Sequence, residues 1–181
     1  MLTNYDAGAV AEVMGIAFLR RPAALPSAGR DGTPRLDDGP VVVVAAQADF
    51  GNGDAAPASA TLIEQAVERG LPRHALRHVA EWLVGGDKAK ASALEWGVVP
   101  KTTLERRETQ LSPLESERTE RVARLFVHAR RALGTDAEAR AFMTEPHPEL
   151  DQRSPVDAAR TDLGARRAEQ LLNALEYGLA L

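Results

Sequence analysis

The stretch that decides the fold runs from Ser112 to Gly134, SPLESERTERVARLFVHARRALG. Ser112 can cap a helix, Pro113 suits the first helical position, and Glu115 follows. Gly134 is a typical helix end. Between these signals, apolar residues recur at helical spacing and predict one buried face made of Leu114, Val122, Leu125, Phe126 and Ala129. The sequence therefore predicts one long helix on which the other segments pack.

Helix signals continue on both sides of this stretch. Before it, helices are predicted over residues 61–70, 72–84, 87–96 and 101–108. Their start and stop signals are a Thr61–Glu64 capping box, Pro72, Gly85-Gly86, an Asp87 cap and the break Gly97–Pro100. After it, helices are predicted to begin at Thr135, Ser154-Pro155 and Thr161, with Glu145–Pro148 as a stiff connector. Residues 61–181 thus predict about eight helices and no strand.

The first sixty residues are different. Residues 1–20 are predicted to form one amphipathic helix, and residues 21–60 are interrupted by prolines and glycines and are predicted to be mostly irregular. Val41–Ala46 is the exception, because its apolar, valine-rich run is typical of a strand. With no partner strand predicted elsewhere, this run either pairs with another chain or stays irregular.

Composition narrows the function. The 181 residues include no cysteine, which excludes thiol catalysis and cysteine metal sites and fits a reducing compartment. No stretch suggests a membrane span or an export signal. The net charge is −4, but residues 61–131 carry 13 basic and 10 acidic side chains, so only this middle part is suited to phosphate. Residues 132–181 carry 5 basic and 9 acidic side chains, which suggests a second partner of different charge.

Signals for an enzyme are weak. His74 and His78 share one helix face at a spacing that can bind metal, but no further ligand pattern accompanies them. His147 lies between two prolines with no neighbouring pattern for a general base. Phosphate-binding loops, dinucleotide motifs and serine elbows are absent from the sequence. We therefore predict a chain that is not an enzyme, has no catalytic or metal-binding residues and needs no cofactor.

Lys88 to Arg107 has the parts of a helix-turn-helix: one helix, a tight break, and a second short helix. Leu94, Val99 and Leu104 are predicted to form its core. The predicted DNA-binding residues on the second helix are Lys101, Thr102, Thr103, Arg106 and Arg107, with Ser112, Arg118, Arg121 and Arg124 flanking them. The alternative is an ordinary helical hairpin with a solvated basic face.

The last fifty residues resemble the C-terminal toxin-binding domain of the Xre/MbcA/ParS antitoxins. The resemblance lies in three segments: Arg153-Ser154-Pro155, Thr161 to Ala165, and Leu175–Gly178. Residues 61–131 resemble the Xre-like helix-turn-helix domain of the same family through Arg69–Pro72, Thr103–Arg107 and Leu111–Arg118. Pattern and resemblance together predict an all-α protein with an N-terminal extension (1–60), an Xre-like helix-turn-helix domain (61–131) and a small helical toxin-binding domain (132–181).

The sequence departs from the family at a few positions. Leu94 and Val98 stand where a small residue and a turn glycine are common, which implies a reshaped turn. Phe142 replaces a usual tryptophan. Asp151-Gln152 stand where glycine is common, which implies a stiffer loop.

The resemblance implies an antitoxin of a type II toxin–antitoxin system. Its partner would be a RES-domain toxin that attacks NAD or transfers ADP-ribose from it, blocked by the antitoxin's C-terminal end in the toxin's NAD-binding cleft; the ParS branch is the suggested subgroup. The family also typically binds its own operator DNA, often as a homodimer inside a larger toxin–antitoxin complex, here expected in the cytoplasm. The alternative function is a stand-alone helix-turn-helix transcription regulator whose C-terminal module dimerises.

The predicted toxin-binding residues lie at the end of the last helix and in the tail after it: Asn173, Glu176, Tyr177, Gly178, Leu179, Ala180 and Leu181. Leu171, Leu172 and Leu175 are expected to pack mostly within the module itself. Leu179-Ala180-Leu181 is apolar but too short to build a core, and its terminal carboxylate resembles a phosphate of NAD in charge.

Overall fold

The computed structural model describes residues 5–19, 43–46, 55–107 and 109–178. Within these residues the chain is mostly helical, as predicted, and a small sheet accompanies the helices. The elements in chain order are α1 (Ala7–Val13), β1 (Ile16–Leu19), β2 (Val43–Ala46), β3 (Ala55–Ala56), α2 (Ala60–Arg69), α3 (Arg73–Val84), α4 (Lys88–Val98), α5 (Lys101–Glu105), α6 (Pro113–Leu133), α7 (Asp136–Thr144), α8 (Pro155–Ala158) and α9 (Asp162–Tyr177). None of the described helices is both long and apolar enough to cross a membrane.

Helix α6 is the centre of the fold, and α1, α2, α3, α7 and α9 all pack against it. The predicted start is confirmed: the Ser112 hydroxyl accepts from the Glu115 N–H, and the Glu115 carboxylate accepts from the Ser112 N–H at 2.6 Å. The predicted buried face is confirmed at Val122, Leu125, Phe126 and Ala129. It is wrong at Leu114, which lies in the first turn of α6 and is 57% exposed.

Two predicted helix boundaries are corrected by the structure. Ser59, not Thr61, caps α2, because the Ser59 hydroxyl accepts from the Leu62 N–H at 3.3 Å. Helix α4 begins after the predicted Asp87 cap but continues through Gly97 to Val98. The predicted helix ended at Trp96, so α4 is two residues longer than predicted, and the break before α5 is confined to Val99-Pro100.

The N-terminal segment corrects two further predictions. Residues 1–20 do not form a single helix: α1 ends at Val13, and Gly15, at φ +61°, turns the chain into β1. A Cβ at Gly15 would come within 2.7 Å of the His78 ring, so this close approach also needs glycine. The predicted strand run is not alone either, because β1 pairs antiparallel with β2 on one side and with β3 on the other. The irregular segment predicted between them lies largely outside the described residues.

The C-terminal helices begin where the local signals predict. Thr135, Ser154 and Thr161 each cap a helix through the side-chain oxygen. Between α7 and α8 the chain forms a short 3-10 helix, Pro148–Leu150, followed by Asp151 and Gln152, both at φ +58°. A left-handed backbone of this kind favours glycine, so both positions carry some backbone strain.

The last helix buries Leu171 and Leu172 as predicted, but Leu175 is 44% exposed and the prediction that it packs within the module is wrong.

Candidate DNA-binding and toxin-binding sites

The helix-turn-helix consists of α4, the Val99-Pro100 turn and α5. Its predicted core is confirmed, since Val99 and Leu104 are buried and Leu94 is a partly buried residue packed against the hydrophobic core. The second helix is shorter than predicted: α5 ends at Glu105, so Arg106 is its cap residue and Arg107 lies beyond it. The two arginines therefore belong to the end of this helix and the loop after it.

The predicted DNA-binding residues differ in exposure. Lys101, Thr102 and Arg106 are exposed, whereas Thr103 is half-buried. The Lys101 ammonium lies 4.9 Å from the centre of the Trp96 ring, a cation–π distance. Trp96 is 44% exposed, so this pair forms an open aromatic and cationic edge next to α5.

Arg107 is not directed to solvent in the same way. Its Nε donates to Glu115 Oε2 at 3.0 Å, and its Nη2 donates to Glu115 Oε1 at 3.0 Å. Burial of Glu115 opposes its ionisation, but the hydrogen bonds from Arg107 and Ser112 outweigh this effect and hold the pKa of the carboxyl below its ordinary value. In the sequence, Glu115 indicates only a helix start, and its pairing with Arg107 depends on the tertiary structure.

The helix before the unit is held by another arginine. Arg77, on α3, donates to Glu81 at 2.8 Å on its own helix and to Ser92 at 2.9 Å and Glu95 at 3.0 Å on α4. This network fixes α3 and α4 to each other.

The arginines predicted to flank the DNA face do not all lie there. Arg121 donates to the Ala159 carbonyl at 3.1 Å, and Arg124 pairs with Glu120 and with Glu169 of α9. Both arginines connect α6 to the C-terminal helices, so the prediction that they flank α5 is wrong. Their spacing on α6 places them on the side that α8 and α9 cover.

The predicted toxin-binding residues occupy the last turn of α9. Tyr177 is 61% exposed, Gly178 ends the helix at φ +62°, and Asn173 is half-buried. Leu179, Ala180 and Leu181 lie outside the described residues.

Glu176, in the same turn, is paired within the protein. Its two carboxylate oxygens accept from Arg131 Nε and Nη2, each at 2.9 Å, and one lies 3.2 Å from His128 Nε2. The Arg131 hydrogen bonds hold the pKa of Glu176 below its ordinary value, and burial together with the Arg131 charge lowers the pKa of His128. This ion pair joins α9 to the end of α6.

The histidines singled out in the sequence make structural contacts. His78 Nδ1 lies 3.1 Å from the Val13 carbonyl, and His74 Nε2 lies 3.4 Å from the Gly15 carbonyl, so both hold the turn after α1. His147 Nε2 lies 2.8 Å from the Phe142 carbonyl, and the two rings lie with their centres 4.6 Å apart and their planes tilted by 41°. No cluster of three or more candidate metal ligands occurs in the described part of the chain.

Comparison with known families matches both regions. Residues 63–124 match the antitoxin Xre-like helix-turn-helix domain, and residues 128–178 match the antitoxin Xre/MbcA/ParS C-terminal toxin-binding domain. A helix-turn-helix followed by a toxin-binding domain defines the class as a type II antitoxin, with DNA and a toxin as partners. The chain belongs to the Xre/MbcA/ParS antitoxin family, which confirms the resemblance seen in the sequence. No curated protein matches the chain.

Proposed function

We propose that this antitoxin neutralises a RES-domain toxin that consumes NAD or transfers ADP-ribose from it, by placing the end of α9 in the toxin's NAD-binding cleft. The antitoxin acts as a binder and not as an enzyme, and it needs no cofactor. The contacts are made by Asn173, Tyr177 and Gly178 together with the tail that follows them, Leu179, Ala180 and Leu181. Glu176 contributes by holding the last turn of α9 on α6.

One observation carries this proposal: the large aromatic side chain of Tyr177 is mostly exposed on the last turn of a helix that is otherwise anchored. Burying a tyrosine against a partner is among the most effective ways for a small interface to gain affinity. The ion pair between Glu176 and Arg131 holds this turn in place before binding, which reduces the entropy lost on association. The match to the toxin-binding domain of the family ends at residue 178, directly after Tyr177.

On the DNA side we propose autoregulation, with the antitoxin binding the operator of its own operon through α5. The direct contacts are Lys101, Thr102, Thr103 and Arg106. The proposed organisation is a homodimer within a hetero-oligomeric toxin–antitoxin complex in the cytoplasm, with an extension (1–60), a DNA-binding domain (61–131) and a toxin-binding domain (132–181). No membrane takes part.

The toxin side is tested by co-expressing the chain with the neighbouring reading frame and measuring growth, co-purification and cellular NAD. The full chain is expected to rescue growth, and deletion of residues 179–181 is expected to abolish the rescue while the protein stays folded and still binds DNA. Rescue by the truncated chain equal to that of the full chain would contradict cleft blocking.

A matched pair of substitutions separates the two ends of α9. Tyr177→Ala is expected to weaken toxin binding about tenfold or more, because an exposed aromatic anchor is lost. Leu163→Ala removes an apolar side chain that is 72% exposed at the other end of the helix and is expected to leave binding unchanged. Unchanged binding by Tyr177→Ala would contradict the role of this side chain, and the alternative of a stand-alone transcription regulator is favoured if no toxin co-purifies with the unmodified chain.

A further inference from the structure

Arg107 and Glu115 form a two-point contact between the end of α5 and the first turn of α6. Both hydrogen bonds measure 3.0 Å, and Glu115 is only 5% exposed. Oε2 of the same carboxylate also accepts from the Ser112 N–H at 2.6 Å. The carboxylate is therefore occupied on both oxygens, and the Nε–Nη2 edge of the guanidinium, one of the two edges that can grip a phosphate or a guanine, already faces it.

The backbone around Arg107 is held from a third element. The Arg107 carbonyl accepts from Arg73 Nη1 at 3.1 Å, and the Arg73 N–H donates to the Thr109 carbonyl at 2.9 Å. The Arg107 N–H itself donates to the Leu104 carbonyl at 3.1 Å, which closes the end of α5. The end of α5 is thus tied to α6 through a side chain and to the start of α3 through the backbone.

We propose that Arg107 and Glu115 are positioning residues for DNA recognition: they set the direction in which α5 presents Lys101, Thr102 and Arg106, and Arg107 itself does not contact DNA. If Arg107 turned to a phosphate, the buried Glu115 carboxylate would lose its counter-charge. Arg106, one residue earlier, is exposed, and the Glu115 carboxylate pairs with Arg107 and not with Arg106. This proposal rests on the DNA-binding role of α5 and assigns its residues to two different tasks.

The two possible roles of Arg107 predict effects of opposite sign for Glu115→Gln. Glutamine at this position still accepts from the Ser112 N–H, so the helix start is kept while the charge pairing is lost. If Arg107 contacts phosphate, releasing it from Glu115 should strengthen DNA binding. If Arg107 positions α5, the same substitution should weaken it.

The test uses the full chain and the duplex that the unmodified protein enriches most strongly from a random 25-base-pair pool. Affinity is measured by anisotropy at several salt concentrations and at a temperature where circular dichroism finds every variant folded. Glu115→Gln and Arg107→Lys are each expected to weaken binding about tenfold with an unchanged salt slope, and the double variant is expected to be no weaker than either single one. Arg106→Ala is expected to lower the salt slope by about one unit, and Arg106→Lys, the matched control, to keep it.

Several results would overturn the proposal. Binding by Glu115→Gln as tight as that of the unmodified protein or tighter would do so, because the pair would then serve stability alone or hold Arg107 away from DNA. Arg107→Lys with full affinity, or Arg107→Ala with a salt slope lowered by about one unit, would make Arg107 a phosphate contact. If the unmodified chain enriches no duplex, the DNA-binding role of α5 fails first, and the positioning role fails with it, whereas toxin neutralisation is measured independently.

Discussion

At the scale of single residues, Glu120 occupies the point where the N-terminal segment, α6 and α9 meet. The Tyr5 hydroxyl donates to its Oε1 at 3.0 Å, Arg124 Nε lies 3.3 Å away, and Arg124 also pairs with Glu169. Burial raises the pKa of Glu120, although the Arg124 charge and the Tyr5 hydrogen bond both act to lower it. Burial and the neighbouring Glu120 charge likewise raise the pKa of Tyr5. Ionisation of one partly buried carboxyl is therefore linked to the docking of two distant parts of the chain.

The raised pKa predicts how stability changes with pH. Because the folded protein holds this proton more tightly than the unfolded chain, whose glutamate pKa is near 4.5, Glu120 stabilises the fold at pH values below that value. This contribution is lost as the pH rises through the folded pKa. Glu120→Gln imitates the protonated form, so the free energy of unfolding of the unmodified protein is expected to fall relative to that of the variant over the pH range that begins near 4.5 and extends upward through the folded pKa.

Urea denaturation of both proteins at intervals across this range measures the effect. The comparison between the two proteins cancels the carboxyls with lowered pKa values, Glu115, Asp151 and Glu176, whose contributions run in the opposite direction. Parallel pH profiles for the two proteins would show that Glu120 titrates normally.

At the scale of elements, the close contact between α8 and α9 depends on one glycine. A Cβ at Gly164, in the first turn of α9, would overlap the Ala158 carbonyl oxygen at the end of α8. Gly97, inside α4, is different, because a Cβ there would meet only the Arg160 guanidinium at 3.7 Å, an ordinary contact. Close packing therefore requires glycine at position 164, whereas the space around position 97 does not.

Alanine substitution is expected to separate these two cases by sign. Gly164→Ala forces α9 away from α8 and is expected to destabilise the protein by about 1–3 kcal/mol or more. Gly97→Ala reduces the freedom of the unfolded chain inside a helix and is expected to stabilise by about 0.5–1 kcal/mol. Urea denaturation gives both values, and a Gly164→Ala protein as stable as the unmodified one would mean that α8 can shift without cost.

At the scale of the whole molecule, the N-terminal segment is part of the core although the family matches begin only at residue 63. Val10, Val13 and Met14 are buried, and helix α1 packs on α6, α2 and α3. His74 and His78 of α3 approach the carbonyls of the turn that follows α1. The described N-terminal residues therefore stabilise the DNA-binding region by packing against α2, α3 and α6.

Met14→Ala tests this integration against Glu12→Ala, an exposed position on the same helix. The cavity left by a buried methionine is expected to cost about 2–5 kcal/mol, while the surface substitution stays within about 0.5 kcal/mol. Because α6 contacts elements from the whole chain, amide exchange in α3 and in α9 is expected to rise together in Met14→Ala. Faster exchange in α3 alone would mean that the C-terminal helices unfold independently.

Much of the helical pattern was predictable because helix ends are local. Asp87, Ser112, Thr135 and Thr161 each cap a helix through a hydrogen bond to an N–H at most three residues away, and such signals are visible in a short stretch of sequence. The order of these signals along the chain, together with the motifs between them, was also sufficient to identify the family. The sequence did not predict which of two possible capping residues begins a helix, as with Ser59 and Thr61 at the start of α2.

Only the tertiary structure decided which charged residues are exposed to solvent and which form ion pairs within the protein. Arg107 and Arg106 are indistinguishable in the sequence, yet one pairs with Glu115 while the other is exposed. Glu176 pairs with Arg131, 45 residues away, and β1 pairs with β2 across a long connection. Such contacts depend on how separate elements pack. Packing determines how deeply a charged side chain is buried, and burial sets the free energy of its pairing. A local pattern in the sequence contains no information on this burial.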